Sequence, residues 1–131
     1  MTRISTTFER LKNNGKKAFI AYICGGDPTL KATKELVFAL EKSGVDIMEL
    51  GVPFSDPLAD GVVNQRASER ALKNNVSLHD ILLLVKQIRQ KSEIPIVLFT
   101  YINPILSFGI PAFAKKAAEC GIDGVLALDY P

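Results

Sequence analysis

The sequence predicts an α/β fold built on a parallel β-sheet. Short, almost wholly apolar segments alternate along the chain with segments in which apolar residues recur at helical spacing. The apolar segments have the length of strands, and strands covered on both faces have this composition. The chain has 131 residues, of which 47% are hydrophobic and 23% charged, so we expect residues 1–131 to form a single globular domain.

Four strands and four main helices follow from this pattern. The predicted strands span residues 18–23, 46–50, 96–100 and 124–128, and the predicted helices span residues 30–40, 62–73, 78–88 and 110–118.

Residues that favour helix ends support these limits. Asp27-Pro28 is predicted to begin the first of these helices, with Asp as the N-cap and Pro at the first helical position. Ser77 and Asp80 have the spacing of a capping box. Gly44 and Gly121 are predicted to end two helices in the left-handed conformation.

Two junctions between a helix and a strand have similar sequences. Residues 43–46 read Ser-Gly-Val-Asp and residues 120–123 read Cys-Gly-Ile-Asp. We interpret this weak repeat as shared turn chemistry.

Charge and cysteine content exclude several classes of protein. The net charge of +2 is too small to indicate a nucleic-acid or anionic-membrane partner. Cys24 and Cys120 lie far apart without a CxxC pattern, which argues against a metal site and a disulfide scaffold. No apolar segment approaches the about 18 residues of a membrane span, and no signal peptide is recognisable. We therefore expect a cytoplasmic protein.

One predicted strand contains a carboxylate. Strand alternation places Ile47 and Glu49 on one face and Met48 and Leu50 on the other. An acid in a buried strand is costly unless it is paired or functional, and desolvation would raise its pKa towards the range useful for acid–base catalysis. Alternatively, Glu49 lies at the solvent-exposed end of the strand or forms an ion pair with a lysine.

The segment after this strand is predicted to be a shaped loop. Residues 51–61 read Gly-Val-Pro-Phe-Ser-Asp-Pro-Leu-Ala-Asp-Gly, with two prolines between flanking glycines. The loop follows the carboxyl end of a strand, where parallel α/β folds bind ligands. Asp60 is a second candidate acid, with capping of the next helix as its structural alternative.

Three aromatic residues lie near the carboxyl ends of the first and third strands. Tyr22, Phe99 and Tyr101 are candidates for the wall of an aromatic pocket, although apolar strands also need such residues for packing. His79 is expected to be solvated on a helix surface, and the Gly25-Gly26 pair does not form a nucleotide-binding motif.

Three motifs in order closely resemble the tryptophan synthase alpha chain family. They are Gly-Gly-Asp-Pro at 25–28, Met-Glu-Leu-Gly-Val-Pro-Phe-Ser-Asp-Pro-Leu-Ala-Asp-Gly at 48–61, and Gly-Ile-Asp-Gly-Val-Leu at 121–126 with Asp129 and Pro131. The resemblance implies a TIM (β/α)8 barrel, of which this chain supplies the first four strands with their helices, a half-barrel. It also implies a short N-terminal helix near residues 7–12.

The resemblance implies retro-aldol cleavage of indole-3-glycerol phosphate to indole and glyceraldehyde 3-phosphate. Glu49 would be the acid–base and Asp60 would hold the indole N–H, while Tyr101 matches a substrate-pocket tyrosine. Tyr22 occupies a position where many members have phenylalanine.

The resemblance also implies a partner, the tryptophan synthase beta chain in an alpha2beta2 complex. Pro53, Asp56, Pro57 and Asn103 would face that chain. Pyridoxal phosphate belongs to the beta chain, and no cofactor or metal is expected in this chain.

Two alternatives remain from the sequence. A barrel needs about 250 residues, so activity is expected only with the C-terminal half. The first alternative to an enzyme half is a non-catalytic module that docks on the beta chain or self-associates through open sheet edges. A different phosphosugar-handling barrel enzyme is a third interpretation, against which the 53–60 motif weighs.

Overall fold

The computed structural model describes residues 1–130 and contains one four-stranded parallel sheet in the order β1-β2-β3-β4. The elements are α1 Arg3–Asn13, β1 Ile20–Cys24, α2 Leu30–Lys42, β2 Ile47–Gly51, α3 Val62–Leu72, α4 Leu78–Ile88, β3 Ile96–Tyr101, α5 Ile102–Phe108, α6 Ile110–Cys120 and β4 Gly124–Leu128.

The two faces of the sheet differ in how much they are covered. Met48, Leu50 and Leu98 are 0% exposed, and they belong to one buried cluster with residues of α4 such as Ile81 and Leu82. Because side chains alternate along a strand, Tyr22, Glu49 and Phe99 lie on the opposite face, where all three are partly exposed. We call this the open face.

Strand register brings the residues of the open face side by side. Tyr22 of β1 is paired with Glu49 of β2, and Gly51 of β2 is paired with Phe99 of β3. Neighbouring residues in a parallel sheet point to the same side, so Tyr22 and Glu49 lie in one row and Phe99 lies in the next row towards the carboxyl end.

The predicted start of helix α2 was wrong. The N-cap of α2 is Thr29, whose hydroxyl accepts a hydrogen bond from the Ala32 amide at 3.0 Å. The Asp27 carboxylate instead receives two hydrogen bonds from the Arg70 guanidinium, at 2.8 and 2.9 Å. A charge-assisted bidentate pair across 43 residues of sequence takes the side chain away from the helix end.

The other helix-end predictions were confirmed. Ser77 and Asp80 form a capping box at the start of α4. Gly44 and Gly121 have φ values of 109° and 92°, which side chains other than glycine rarely adopt.

The repeat at the two helix–strand junctions extends to their hydrogen bonds. The Asp46 carboxylate accepts from the Phe19 amide at 2.8 Å, and the Asp123 carboxylate accepts from the Ile96 amide at 2.8 Å. In each junction the aspartate amide also donates back to the same neighbour's carbonyl oxygen, at 2.9 and 3.0 Å. Each aspartate thus fixes the beginning of its own strand to the beginning of the previous one.

Helix α1 connects both junctions. Arg10 lies 3.8 Å from Asp46, and Arg3 lies 3.1 Å from Asp123. This helix, implied near residues 7–12, is longer than implied and lies at the amino-terminal end of the sheet, opposite the shaped loop.

A buried ion pair also lies at this end. The Arg89 guanidinium donates to Asp123 at 2.7 Å, and the two side chains are 10% and 5% exposed. Burial lowers the pKa of Arg89 and the charge of Asp123 opposes that shift. Arg89 also donates to the carbonyl oxygens of Gly121 and Ile94, at 3.0 and 2.7 Å.

The sequence patterns missed one helix, and they began β1 two residues and β2 one residue too early. Helix α5 follows β3 without a loop, and its spacing of Ile102 and Ile105, both buried, is the signal that could have revealed it. Strand β1 begins at Ile20 rather than at residue 18, because the Phe19 amide binds the Asp46 side chain and the register with β2 starts at Ile20 and Ile47.

Candidate active site

Predicted site residues come together at the carboxyl end of the sheet, on the open face. Tyr22 lies in β1, Glu49 in β2, and Phe99 and Tyr101 in β3. Residue Asp60 comes from the loop that follows β2. Burial raises the pKa of Tyr22 above its usual value, and the nearby groups Cys24, Asp60, Tyr101 and Glu49 raise it further.

Two pairs of aromatic rings form the floor of the site. The rings of Tyr22 and Phe99 meet edge to face, with centroids 5.2 Å apart. The rings of Phe54 and Tyr101 are tilted by 30° at 4.9 Å. Tyr22 and Phe99 belong to strands that are not neighbours, so the ring of Tyr22 has to extend across β2.

Gly51 makes this crossing possible. A Cβ atom at position 51 would clash with the Tyr22 hydroxyl oxygen and would lie 2.8 Å from the ring carbon Cζ. Gly51 is buried, and its place in the sequence predicts no role for it beyond bounding the loop. The missing side chain leaves the space that the tyrosine ring fills.

Glu49 is half-buried rather than fully buried. It lies beside Tyr22 in the register of β1 and β2. None of the five ion pairs formed within residues 1–130 involves Glu49, so the alternative of pairing with a lysine is not realised in the part of the chain described. Its partial exposure follows from its position on the open face, where Tyr22 and Phe99 are also partly exposed.

Asp60 is held in a different environment. Burial raises the pKa of the Asp60 carboxyl, and a hydrogen bond with the Tyr101 hydroxyl partly opposes the shift. The same hydroxyl accepts a hydrogen bond from the Ala59 amide at 2.9 Å. Burial also raises the pKa of Tyr101, so this hydroxyl keeps its proton at neutral pH.

Asp60 does not cap the following helix. The N-cap of α3 is Gly61, and no side chain supplies a capping hydrogen bond there. The Asp60 side chain is therefore not bound to the start of α3. The Gln65 side chain, one turn into α3, donates to the Asp60 carbonyl oxygen at 2.9 Å, a contact that the sequence did not reveal.

The four residues expected at a partner interface differ in exposure. Asp56 and Asn103 are exposed, Pro57 is half-buried and Pro53 is buried. Pro53 thus contributes to loop shape more than to surface.

Other candidates lie elsewhere. His79 is exposed, as expected, and its ring is stacked with Phe108 at 6.4 Å. Cys24 and Cys120 are both buried and unoxidised. Within residues 1–130 there is no group of three or more His, Cys, Asp or Glu residues placed to hold a metal ion, and no helix has the length and apolar character needed to cross a membrane.

A parallel sheet whose strands follow in chain order with helices between them, and acidic residues at its carboxyl edge, has the architecture of the (β/α)8-barrel class. The family model for the tryptophan synthase alpha chain matches residues 8–131. The chain belongs to the tryptophan synthase alpha chain family.

Relatives and solved structures agree with this assignment. The alpha chains of Geotalea uraniireducens and Geobacter sulfurreducens are each 50% identical over 131 residues, which cover 49% and 50% of their lengths. The alpha subunit of Legionella pneumophila str. Paris is 47% identical, with a TM-score of 0.98 over 100% of this chain and 50% of that one. Tryptophan synthase from M. tuberculosis, in its aminoacrylate- and BRD0059-bound form, is 36% identical with a TM-score of 0.91, over 98% of this chain and 51% of that one. The chain spans about half the length of the relatives it matches.

Proposed function

We propose that residues 1–131 form the N-terminal half of an alpha-chain barrel and carry its two acid residues. The reaction is retro-aldol cleavage of indole-3-glycerol phosphate to indole and glyceraldehyde 3-phosphate. The observation that carries the proposal is that both carboxyl groups lie near Tyr22 at one edge of the sheet, Glu49 as its register neighbour in β2 and Asp60 on the loop beside the Tyr101 hydroxyl. Two carboxyl groups in unlike environments can take different roles in one reaction.

In this mechanism Glu49 transfers protons and Asp60 stabilises charge. The Glu49 carboxyl protonates C3 of the indole ring, which creates an indolenine cation whose N–H donates to the Asp60 carboxylate. Glu49 then removes the proton of the glycerol hydroxyl next to the breaking bond. The carbon–carbon bond electrons return to the indole ring, and the aldehyde of glyceraldehyde 3-phosphate forms.

The aromatic rings suit the indole part of this substrate. The rings of Tyr22 and Phe99 meet edge to face on the open face of the sheet. An indole ring packs favourably against such aromatic rings. Tyr101 supports the Asp60 loop through its bond with the Ala59 amide. The chain itself would need no cofactor for these steps.

The activity proposal is tested by replacing Glu49 in a full-length alpha chain, by which we mean a chain of the relatives' length that contains residues 1–131. Glu49→Gln should reduce indole release by at least about 100-fold, because the amide cannot transfer the protons. Glu35→Gln, a change at an exposed position on α2, is the matched control and should retain activity. Full activity of Glu49→Gln with an intact fold would refute the acid–base role.

We also propose that the shaped loop meets the tryptophan synthase beta chain, whose pyridoxal phosphate would act on the released indole, in the cytoplasm. The exposed side chains Asp56 and Asn103 support this proposal. Asp56→Ala with Asn103→Ala should weaken beta-chain binding about 10-fold or more in calorimetry. Unchanged affinity would remove these two residues from the interface.

A second candidate function is association between two copies of the 131-residue chain, without catalysis. It is favoured by exposed apolar residues on the two edge strands, where Ile20 is 46% and Val125 is 44% exposed. Sedimentation of the 131-residue chain distinguishes the candidates. A compact monomer at high concentration would exclude self-association.

A further inference from the structure

The acid Asp60 ends a tight turn that projects into solvent. The turn spans residues 57–60, and the Asp60 amide donates to the Pro57 carbonyl oxygen at 3.1 Å. Leu58, inside the turn, is 75% exposed and therefore contributes little packing. The turn depends on polar contacts for its position.

Two side chains from different elements hold this turn. The Gln65 amide nitrogen donates to the Asp60 carbonyl oxygen at 2.9 Å and lies 3.4 Å from the Pro57 carbonyl oxygen, so it reaches both ends of the turn. The Tyr101 hydroxyl of β3 accepts from the Ala59 amide at 2.9 Å.

Gln65 is itself well fixed. It is half-buried in α3, and Ala67 and Ala71 of this helix pack against Cys24 of β1 in a small buried cluster. The last turn of α3 is bound to the loop after β1 by the Arg70–Asp27 ion pair. Asn74, two residues after the helix, adds a hydrogen bond from its side-chain amide to the Pro28 carbonyl oxygen at 2.7 Å. These contacts connect α3 to the strand that carries Tyr22.

We propose that Gln65 is a positioning residue, which holds the 57–60 turn so that the Asp60 carboxylate faces the open face. The inference rests on the proposed role of Asp60 in the cleavage reaction. Only a side chain that donates hydrogen bonds can serve, because both contacted groups are carbonyl oxygens. A methionine has similar length and cannot donate, whereas a glutamate can donate only when it is protonated.

Loss of this contact should lower turnover more than substrate binding. A displacement of about 1 Å of a catalytic group costs up to about 100-fold in rate, so Gln65→Met should lower kcat roughly 10- to 100-fold. KM should change by less than about threefold, since both hydrogen bonds of Gln65 go to carbonyl oxygens of the turn. Gln87→Met, at an exposed glutamine on α4, is the matched control and should stay within about twofold of wild type.

The experiment is a double-mutant cycle with Asp60→Asn in the full-length alpha chain, read as kcat for indole release. Gln65→Met should cause no further loss when Asp60 is already replaced, because its effect passes through that carboxylate. A purely structural role would lower kcat by the same factor in both backgrounds, and that result would overturn the proposal. Activity of Gln65→Met equal to Gln87→Met would overturn it as well.

A second variant gives an independent reading if Gln65→Met folds poorly. Gln65→Glu keeps the length of the side chain, and its kcat relative to wild type should rise as pH falls and the introduced carboxyl gains a proton to donate. A ratio that is flat with pH would contradict the hydrogen-bond role. Full activity of Asp60→Asn would instead contradict the proposed function, whereas an inactive Asp60→Asn with a fully active Gln65→Met contradicts only the positioning role.

Discussion

Gly51→Ala should disrupt the aromatic floor of the site through a single methyl group. The added Cβ would clash with the Tyr22 hydroxyl and would lie 2.8 Å from Cζ and 3.0 Å from Cε2 of the same ring. The ring therefore has to move, and its edge-to-face contact with Phe99 at 5.2 Å is lost with it.

The expected cost follows from these contacts. Overpacking of a buried position costs about 1–3 kcal/mol, and the lost aromatic pair adds about 0.5–1.5 kcal/mol where the ring cannot find a new partner. Because Gly51 has no positive φ, backbone strain does not add to the cost. We expect Gly51→Ala to lower the free energy of unfolding by about 2–3 kcal/mol.

Urea unfolding of the full-length alpha chain measures this cost, and a double-mutant cycle identifies its source. Removing the ring by Tyr22→Ala should reduce the cost of Gly51→Ala to below about 1 kcal/mol. Gly124→Ala in β4 is a matched control, since the nearest atom to its added Cβ is Ile4 Cδ1 at the ordinary contact distance of 3.5 Å. An equal cost of Gly51→Ala with and without the Tyr22 ring would refute the steric explanation.

Two further predictions concern charged groups. Asp123→Asn should lower the free energy of unfolding by about 3 kcal/mol in urea titrations, because it leaves the buried Arg89 guanidinium without its counter-charge; a loss below about 1 kcal/mol would contradict this. Asp60→Asn should raise the Tm at pH 7, because burial raises the native pKa of Asp60 and so penalises its charged form. The gain in Tm should disappear once the pH falls below the pKa of Asp60 in both the folded and the unfolded state, because the wild-type Asp60 carboxyl is then uncharged as well. A gain that persists at about pH 3 would contradict the burial effect.

The sequence predicted local structure well where neighbouring residues decide it. The capping box of Ser77 and Asp80 involves residues three apart. Gly44 and Gly121 adopt positive φ values at the ends of their helices, which depends only on the adjoining turn. Such features depend little on the rest of the fold. The four apolar strands were also found from composition, although only the two central strands, β2 and β3, are largely buried.

Predictions failed where distant residues compete for the same group. Asp27 had the right neighbours for an N-cap, yet the Arg70 guanidinium, 43 residues away, binds its carboxylate. Capping by Asp60, the structural alternative to a role in the site, does not occur, because the cap position of α3 falls on Gly61. Gln65 carries no motif, and its contact with the turn is visible only once α3 is placed.

The sequence by itself determined which residues are candidates for chemistry, because the motif at 48–61 and the alternation of β2 single out Glu49 and Asp60 without any coordinates. Only the tertiary structure decided their surroundings. Parallel register sets Glu49 beside Tyr22, and the absence of a side chain at Gly51 lets that tyrosine ring cross β2 to Phe99. The sequence led us to expect a buried Glu49, and the structure leaves it half-exposed, because burial is set by what covers the open face and not by the composition of the strand.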